Sequence, residues 1–123
     1  MTDATAVATI RSFLEACVRA NVDEFIDYFT EDALWWNAPW KEIRGRAAIG
    51  EALRKGKEQM TALPWEVRHI VADGNIVMVE RVDHFEVQGK PVGVPCVGVF
   101  ELRDGKIAAW RDYWDLKTFE AQI

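Results

Sequence analysis

Cysteine is scarce in this chain. There are two, Cys17 and Cys96, in 123 residues. They have neither the spacing of a metal site nor the density of a disulfide framework, so a reducing, cytoplasmic setting is expected. Histidine is equally scarce. His84 with Glu80 and Glu86 could form a metal half-site, but a solvated or subunit-facing patch is the commoner arrangement and the one expected. No metal or other cofactor is expected. Positive charge is outnumbered, with 15 Lys and Arg against 20 Asp and Glu and a net charge of −5. That balance argues against nucleic acid or an anionic membrane as the main partner. The one dense basic run, residues 54–57, reads as the solvated face of a helix. Long apolar runs are missing, so no stretch approaches a membrane span. Residues 1–10 lack the basic start and apolar core of a signal peptide. With no repeats or linkers, residues 1–123 are expected to form one domain.

What the chain does have is apolar content and tryptophan. Half of its residues are hydrophobic, 28% are charged and six are tryptophan, a composition that supports a packed core. Val7, Ile10, Phe13, Leu14, Cys17 and Val18 recur at helical spacing and predict a helix over 4–20, with Asp3 as its cap. Asn21 followed by Glu24 resembles a capping box for a short second helix carrying Val22, Phe25, Ile26 and Phe29. Residues 33–38 read as a short strand ending at Pro39, and 46–57 as a third helix. Four strands follow over 65–72, 76–87, 92–103 and 106–116. The four are joined by the hairpin signals Asp73-Gly74-Asn75, Gln88-Gly89-Lys90 and Arg103-Asp104-Gly105-Lys106. A final helical turn spans 117–123. The expected architecture is α+β: a strongly curved, mixed but mostly antiparallel sheet forming a cone around a pocket, with three to four helices on its concave side.

Strand alternation isolates two misplaced carboxylates. Over 76–87 the odd face is Val77, Val79, Arg81, Asp83, Phe85 and Val87, an arginine and an aspartate within an apolar row. Over 106–116 the even face carries Asp112 between Trp110 and Trp114. Burying charge costs several kcal/mol per ion, in order-of-magnitude terms, unless it is paired. If Arg81, Asp83 and Asp112 meet, the arginine fork can bridge both carboxylates, and one of them should hold a proton at neutral pH. One acid and one base in a single site is what a push–pull reaction needs. A purely structural cluster holding strand register is the alternative. His69 shares a face with Trp65, Val67 and Val71 and reads as a core or interface residue. Trp36 and Trp40 read as interface residues.

Three segments carry a family resemblance: E-R-V-D at 80–83, G-V-F-E-L at 98–102 and G-K-I-A-A-W-R-D-Y-W-D-L at 105–116. In order and spacing they resemble limonene-1,2-epoxide hydrolase. The resemblance implies the cone fold shared with ketosteroid isomerase, scytalone dehydratase, polyketide cyclases and nuclear transport factor two. It also implies one-step, cofactor-independent hydration of a small, mostly apolar epoxide to a vicinal diol, with no covalent intermediate. By that resemblance Asp112 is the general base toward water, Asp83 the general acid toward the epoxide oxygen, and Arg81 the bridge between them. Asn37 matches the family's water-holding asparagine, whose side-chain oxygen can accept the water's second hydrogen. The water-holding tyrosine position falls on Trp35, a departure, since an indole N–H donates but cannot accept. Phe85, Val94, Cys96, Trp114 and Phe119 match substrate-pocket positions, and a homodimer through the outer sheet face is implied. Cys96 is not expected to be a nucleophile, as its strand is apolar and no histidine lies near it in sequence.

Two other functions compete. An isomerase or polyketide-type cyclase on the same fold would use an aspartate to move a proton beside a carbonyl. An isomerase of the ketosteroid type would want a tyrosine hydroxyl on the first helix, which has Phe13 and no tyrosine. A non-catalytic ligand-binding domain would tolerate loss of any one of Arg81, Asp83 and Asp112, whereas all three are present.

Overall fold

The computed structural model describes residues 2–19 and 21–123. In order these form α1 (Asp3–Arg19), α2 (Val22–Phe25), a 3₁₀ turn (Ile26–Tyr28), β1 (Phe29–Asn37), β2 (Ile43–Arg44), α3 (Arg46–Gln59), β3 (Thr61–Ala62), β4 (Glu66–Asp73), β5 (Ile76–Val87), β6 (Lys90–Arg103), β7 (Lys106–Trp114) and α4 (Leu116–Glu120). The sheet runs β2-β1-β7-β6-β5-β3, with β4 also paired to β5. β1 runs parallel to β7, and the other pairings are antiparallel. The result is the expected α+β architecture, a curved, mostly antiparallel mixed sheet forming a half-barrel cone with the helices on its concave face.

Local chemistry explains most element ends. Asn21 caps α2, its side-chain oxygen accepting from Glu24 N–H at 3.0 Å. Thr2, rather than Asp3, caps α1 by accepting from Thr5 N–H at 3.1 Å. Asp3 instead accepts from Gly74 N–H at 3.0 Å, tying the helix to the β4–β5 hairpin. The end expected for this helix at residue 20 lies outside the described residues. Gln88 and Gly89 (φ +50° and +81°), and likewise Asp104 and Gly105 (+52° and +79°), take left-handed conformations. Such a pair suits a two-residue hairpin, and glycine supplies its second position without strain.

Four further sequence expectations need correction. Phe29, assigned to the second helix, begins β1 and is fully buried. A shift in register between Val67 and His69 puts Ile70 and Ala72 on the inner face. His69 therefore leaves the core: it is exposed, with Nδ1 2.7 Å from Glu80. Lys57 is not on a solvated face but reaches inward, donating to Cys17 O at 2.9 Å and lying over the Phe25 ring. The two-residue strands β2 and β3 fall between the expected elements.

Alternation on β5 matches its sequence: Val77, Val79 and Arg81 are buried while Met78 and Glu80 are exposed. Phe13, fully buried on α1, is the hub of the core. Its ring makes edge contacts with Phe25, Tyr28, Phe29, Phe100 and Trp110 at centroid distances of 5.1–6.0 Å. It thereby fastens α1 to β1, β6 and β7. Phe13→Ala should lower unfolding free energy by about 3–5 kcal/mol, measured by urea denaturation; a loss under about 1 kcal/mol would contradict this role.

Candidate active site

The cone encloses a cavity of about 410 Å³ between the helices and the inner sheet face. Trp35, Asn37, Asp83, Phe85, Val94, Cys96, Asp112, Trp114 and Phe119 all line it. Arg81 lies behind this lining with its side chain fully buried.

Arg81 meets both carboxylates. Its Nε donates to Asp83 Oδ1 at 2.7 Å and its Nη2 to Asp83 Oδ2 at 3.1 Å. Nη2 also donates to Asp112 Oδ2 at 2.6 Å. The Trp65 ring covers the guanidinium at 5.1 Å, a cation–π contact on a charge removed from water. Trp110 Nε1 donates to Asp112 Oδ1 at 2.7 Å. Both oxygens of Asp112 thus accept from donors, on different residues. Asp83 takes both of its hydrogen bonds from Arg81.

The electrostatics differ across the group. Burial pushes the Asp83 carboxyl above its ordinary range, outweighing the pull of Arg81, and nearby Asp112 adds to the rise. Burial alone would weaken the charged form of Arg81, but Asp112 and Asp83 hold its pKa well above the usual arginine value. Burial, joined by Asp112, also pushes the Cys96 thiol up, so Cys96 is a neutral wall of the cavity rather than a nucleophile. Donor atoms of Asp83, Cys96 and Asp112 lie within 4.8 Å of one another. They do not fit a cation, because Arg81 already occupies both carboxylates and the thiol stays protonated. His84, weighed with Glu80 and Glu86 as a metal half-site, is not in this group.

Two sequence neighbours of the site hold its parts in unexpected ways. Trp114 Nε1 donates to Asn37 Oδ1 at 2.6 Å, using one of that oxygen's two lone pairs. Trp35 stacks on Trp110 at 5.4 Å. Its Nε1 is buried and, among the described residues, has no hydrogen-bond partner. Trp40 packs 5.1 Å from Trp114 at the cavity's mouth, whereas Trp36 meets Tyr113 on the outer side.

The residue that sequence reasoning missed is Gly98. The register runs Arg81–Cys96–Trp114 across one rung and Val79–Gly98–Asp112 across the next. Arg81 on β5 must therefore reach Asp112 on β7 diagonally over β6, across two strand spacings or about 10 Å. A Cβ on Gly98 would lie 2.5 Å from Arg81 Nη1 and 2.7 Å from Asp112 Oδ1. Its backbone is not in the left-handed region, so space rather than conformation demands glycine here.

A half-barrel cone with a small apolar pocket defines the fold class. The chain belongs to the SnoaL-like domain family, whose profile matches residues 10–110. It is 30% identical over 107 residues to epoxide hydrolase EphG of Mycobacterium tuberculosis, covering 87% of this chain and 71% of that protein. It superposes on the structure of an M. tuberculosis LEH-like epoxide hydrolase with a TM-score of 0.87 and 28% identity, covering 98% of this chain and 90% of that one. A Catenulispora acidiphila protein with a ketosteroid isomerase-like fold, in complex with trimethylamine, is 19% identical with a TM-score of 0.84. That match covers 93% of this chain and 90% of the other, and at this identity it reports shared fold alone. Among the described residues no helix is long and apolar enough to cross a membrane.

Gly98→Ala should force Arg81 and Asp112 apart and cost about 1–3 kcal/mol in overpacking alone. Gly93→Ala, on the same strand but meeting the His84 ring at 3.2 Å, should cost less. Denaturation of both variants checks this, and equal losses would contradict a specific requirement at Gly98.

Proposed function

We propose that this protein is a cofactor-independent epoxide hydrolase, adding water to a small, mostly apolar epoxide to give a vicinal diol in one step. The observation that carries the reading is Arg81 held between two carboxylates at the cavity wall, 2.7 Å from one and 2.6 Å from the other. The kinship with an M. tuberculosis epoxide hydrolase supports it.

In this mechanism Asp112, ionised, removes a proton from water as the water oxygen bonds to an epoxide carbon. Asp83 delivers its proton to the epoxide oxygen as the C–O bond breaks. Two ionised carboxylates around one arginine would leave a net negative charge in an apolar enclosure, and a proton on Asp83 removes it. Arg81 stabilises whichever carboxylate is charged at each stage. Afterwards the proton on Asp112 returns to Asp83 through water entering the cavity. Asn37 Oδ1 offers its second lone pair to the nucleophilic water. Trp35 stands at the tyrosine's position, and its Nε1 donates to that water's oxygen once a small shift of the indole uncovers it to the cavity. Phe85, Val94, Cys96, Trp114 and Phe119 enclose the substrate. We place the enzyme in the cytoplasm as a homodimer joined through the outer sheet face, where Met78, Val97 and Tyr113 are exposed. Nucleic acid and membrane play no part.

Single turnover of an apolar epoxide in ¹⁸O-water should place the label in the diol and none in the protein. Asp112→Asn and Asp83→Asn should each lower kcat at least about 100-fold. Label in the protein, or diol formation unaffected by either substitution, would overturn the mechanism.

A further inference from the structure

Eight of the twenty-two residues lining the cavity are aromatic, against 11% of the chain. Only three, Ile43, Leu53 and Val94, are branched aliphatics. The rings are organised. Trp40, half exposed at the mouth, lies 5.1 Å from Trp114; Trp114 lies 6.1 Å from Phe119, and Phe119 lies 5.9 Å from Phe85. Phe85 shares the inner face of β5 with Asp83, two residues away. A continuous aromatic wall therefore leads from solvent to the acid. Trp114 is pinned within it by its hydrogen bond to Asn37. Near the base, Trp35 stacks on Trp110, whose indole holds Asp112.

From this wall we infer that the substrate is an aryl-substituted epoxide, with an aromatic ring on one oxirane carbon. The inference rests on the epoxide hydrolase reading and names its substrate class. Aromatic pairs gain stabilisation beyond area burial, which a saturated ring of the same skeleton does not receive. Area alone would favour the saturated ring, whose apolar surface is larger. A volume of about 410 Å³ accommodates a one- or two-ring substituent.

The reaction centre suits such a substrate. As Asp83 protonates the epoxide oxygen, the benzylic C–O bond lengthens and its electron pair passes to that oxygen. The benzylic carbon takes on positive charge, which its own ring and the faces of nearby indoles stabilise. The water oxygen then bonds to the benzylic carbon while its proton goes to Asp112. The diol carries the new oxygen at the benzylic position.

Phenyloxirane and cyclohexyloxirane differ only in ring unsaturation and separate the possibilities. kcat/KM for phenyloxirane should exceed that for cyclohexyloxirane at least about five-fold, with ¹⁸O from water at the benzylic carbon. Trp40→Leu and Phe119→Leu should each narrow that ratio. Equal rates, a preference for cyclohexyloxirane, or a ratio unmoved in both variants would overturn the aryl class while leaving epoxide hydrolysis intact. Should neither compound turn over, the hydrolase reading falls. The aryl class is then decided by binding of benzamide and cyclohexanecarboxamide, followed by tryptophan fluorescence. Benzamide binding at least about five-fold tighter sustains an aryl-selective pocket, and equal binding overturns it.

Discussion

A fully buried guanidinium shared by two carboxylates is the interaction on which this molecule turns. Removing Arg81 from water costs several kcal/mol, in order-of-magnitude terms, and only close partners offset that. The fold supplies them from three directions. Asp83 is grasped side-on by Nε and Nη2, Asp112 is reached end-on across β6, and Trp65 covers the remaining face. Removing either carboxylate would leave a buried, partly unpaired charge. The contact also exists only because β6 carries no side chain at Gly98.

The core and the candidate site meet at Trp110. Its ring packs against Phe13 and stacks on Phe100, placing it in the core that fastens helix to sheet. Its N–H holds Asp112. Asp112 is thus held by a residue of the aromatic core, whereas Asp83 lies further along β5 where the cone opens to the cavity. The same division runs through the pocket. Core aromatics fix the Asp112 end, and Trp40 with Phe119 forms a more exposed wall toward solvent.

Much of this could be read from the sequence, because strand alternation is a local property. Arg81, Asp83 and Asp112 stand out as charges on apolar faces, and the structure does bring them together. Spacing within a strand cannot reveal what lies between strands. The diagonal crossing depends on β5–β6–β7 register, so Gly98 looked like any glycine in a strand. Tryptophans flanking Asp112 were visible, but the hydrogen bonds from Trp110 to Asp112 and from Trp114 to Asn37 depend on side-chain rotation. A register shift after Val67 moved His69 from the inner face to the outer one, and no residue type there announces it. Two-residue strands such as β2 are too short to show any alternation. Lys57 departs from its expected face for a different reason: a long side chain can carry its charge away from the face where its Cα sits.

In the proposed mechanism, burial keeps a proton on Asp83 despite the arginine beside it. The most direct test follows the Asp83 side-chain carboxyl carbon by ¹³C NMR through a pH titration, alongside kcat/KM on an epoxide. Since the protonated form is the proposed acid, activity should be lost as pH rises through the Asp83 pKa. This pKa should lie above the ordinary aspartate range, the alkaline fall in kcat/KM should track it, and the resonance should disappear in Asp83→Asn. An Asp83 that titrates at or below the ordinary aspartate value would contradict the mechanism.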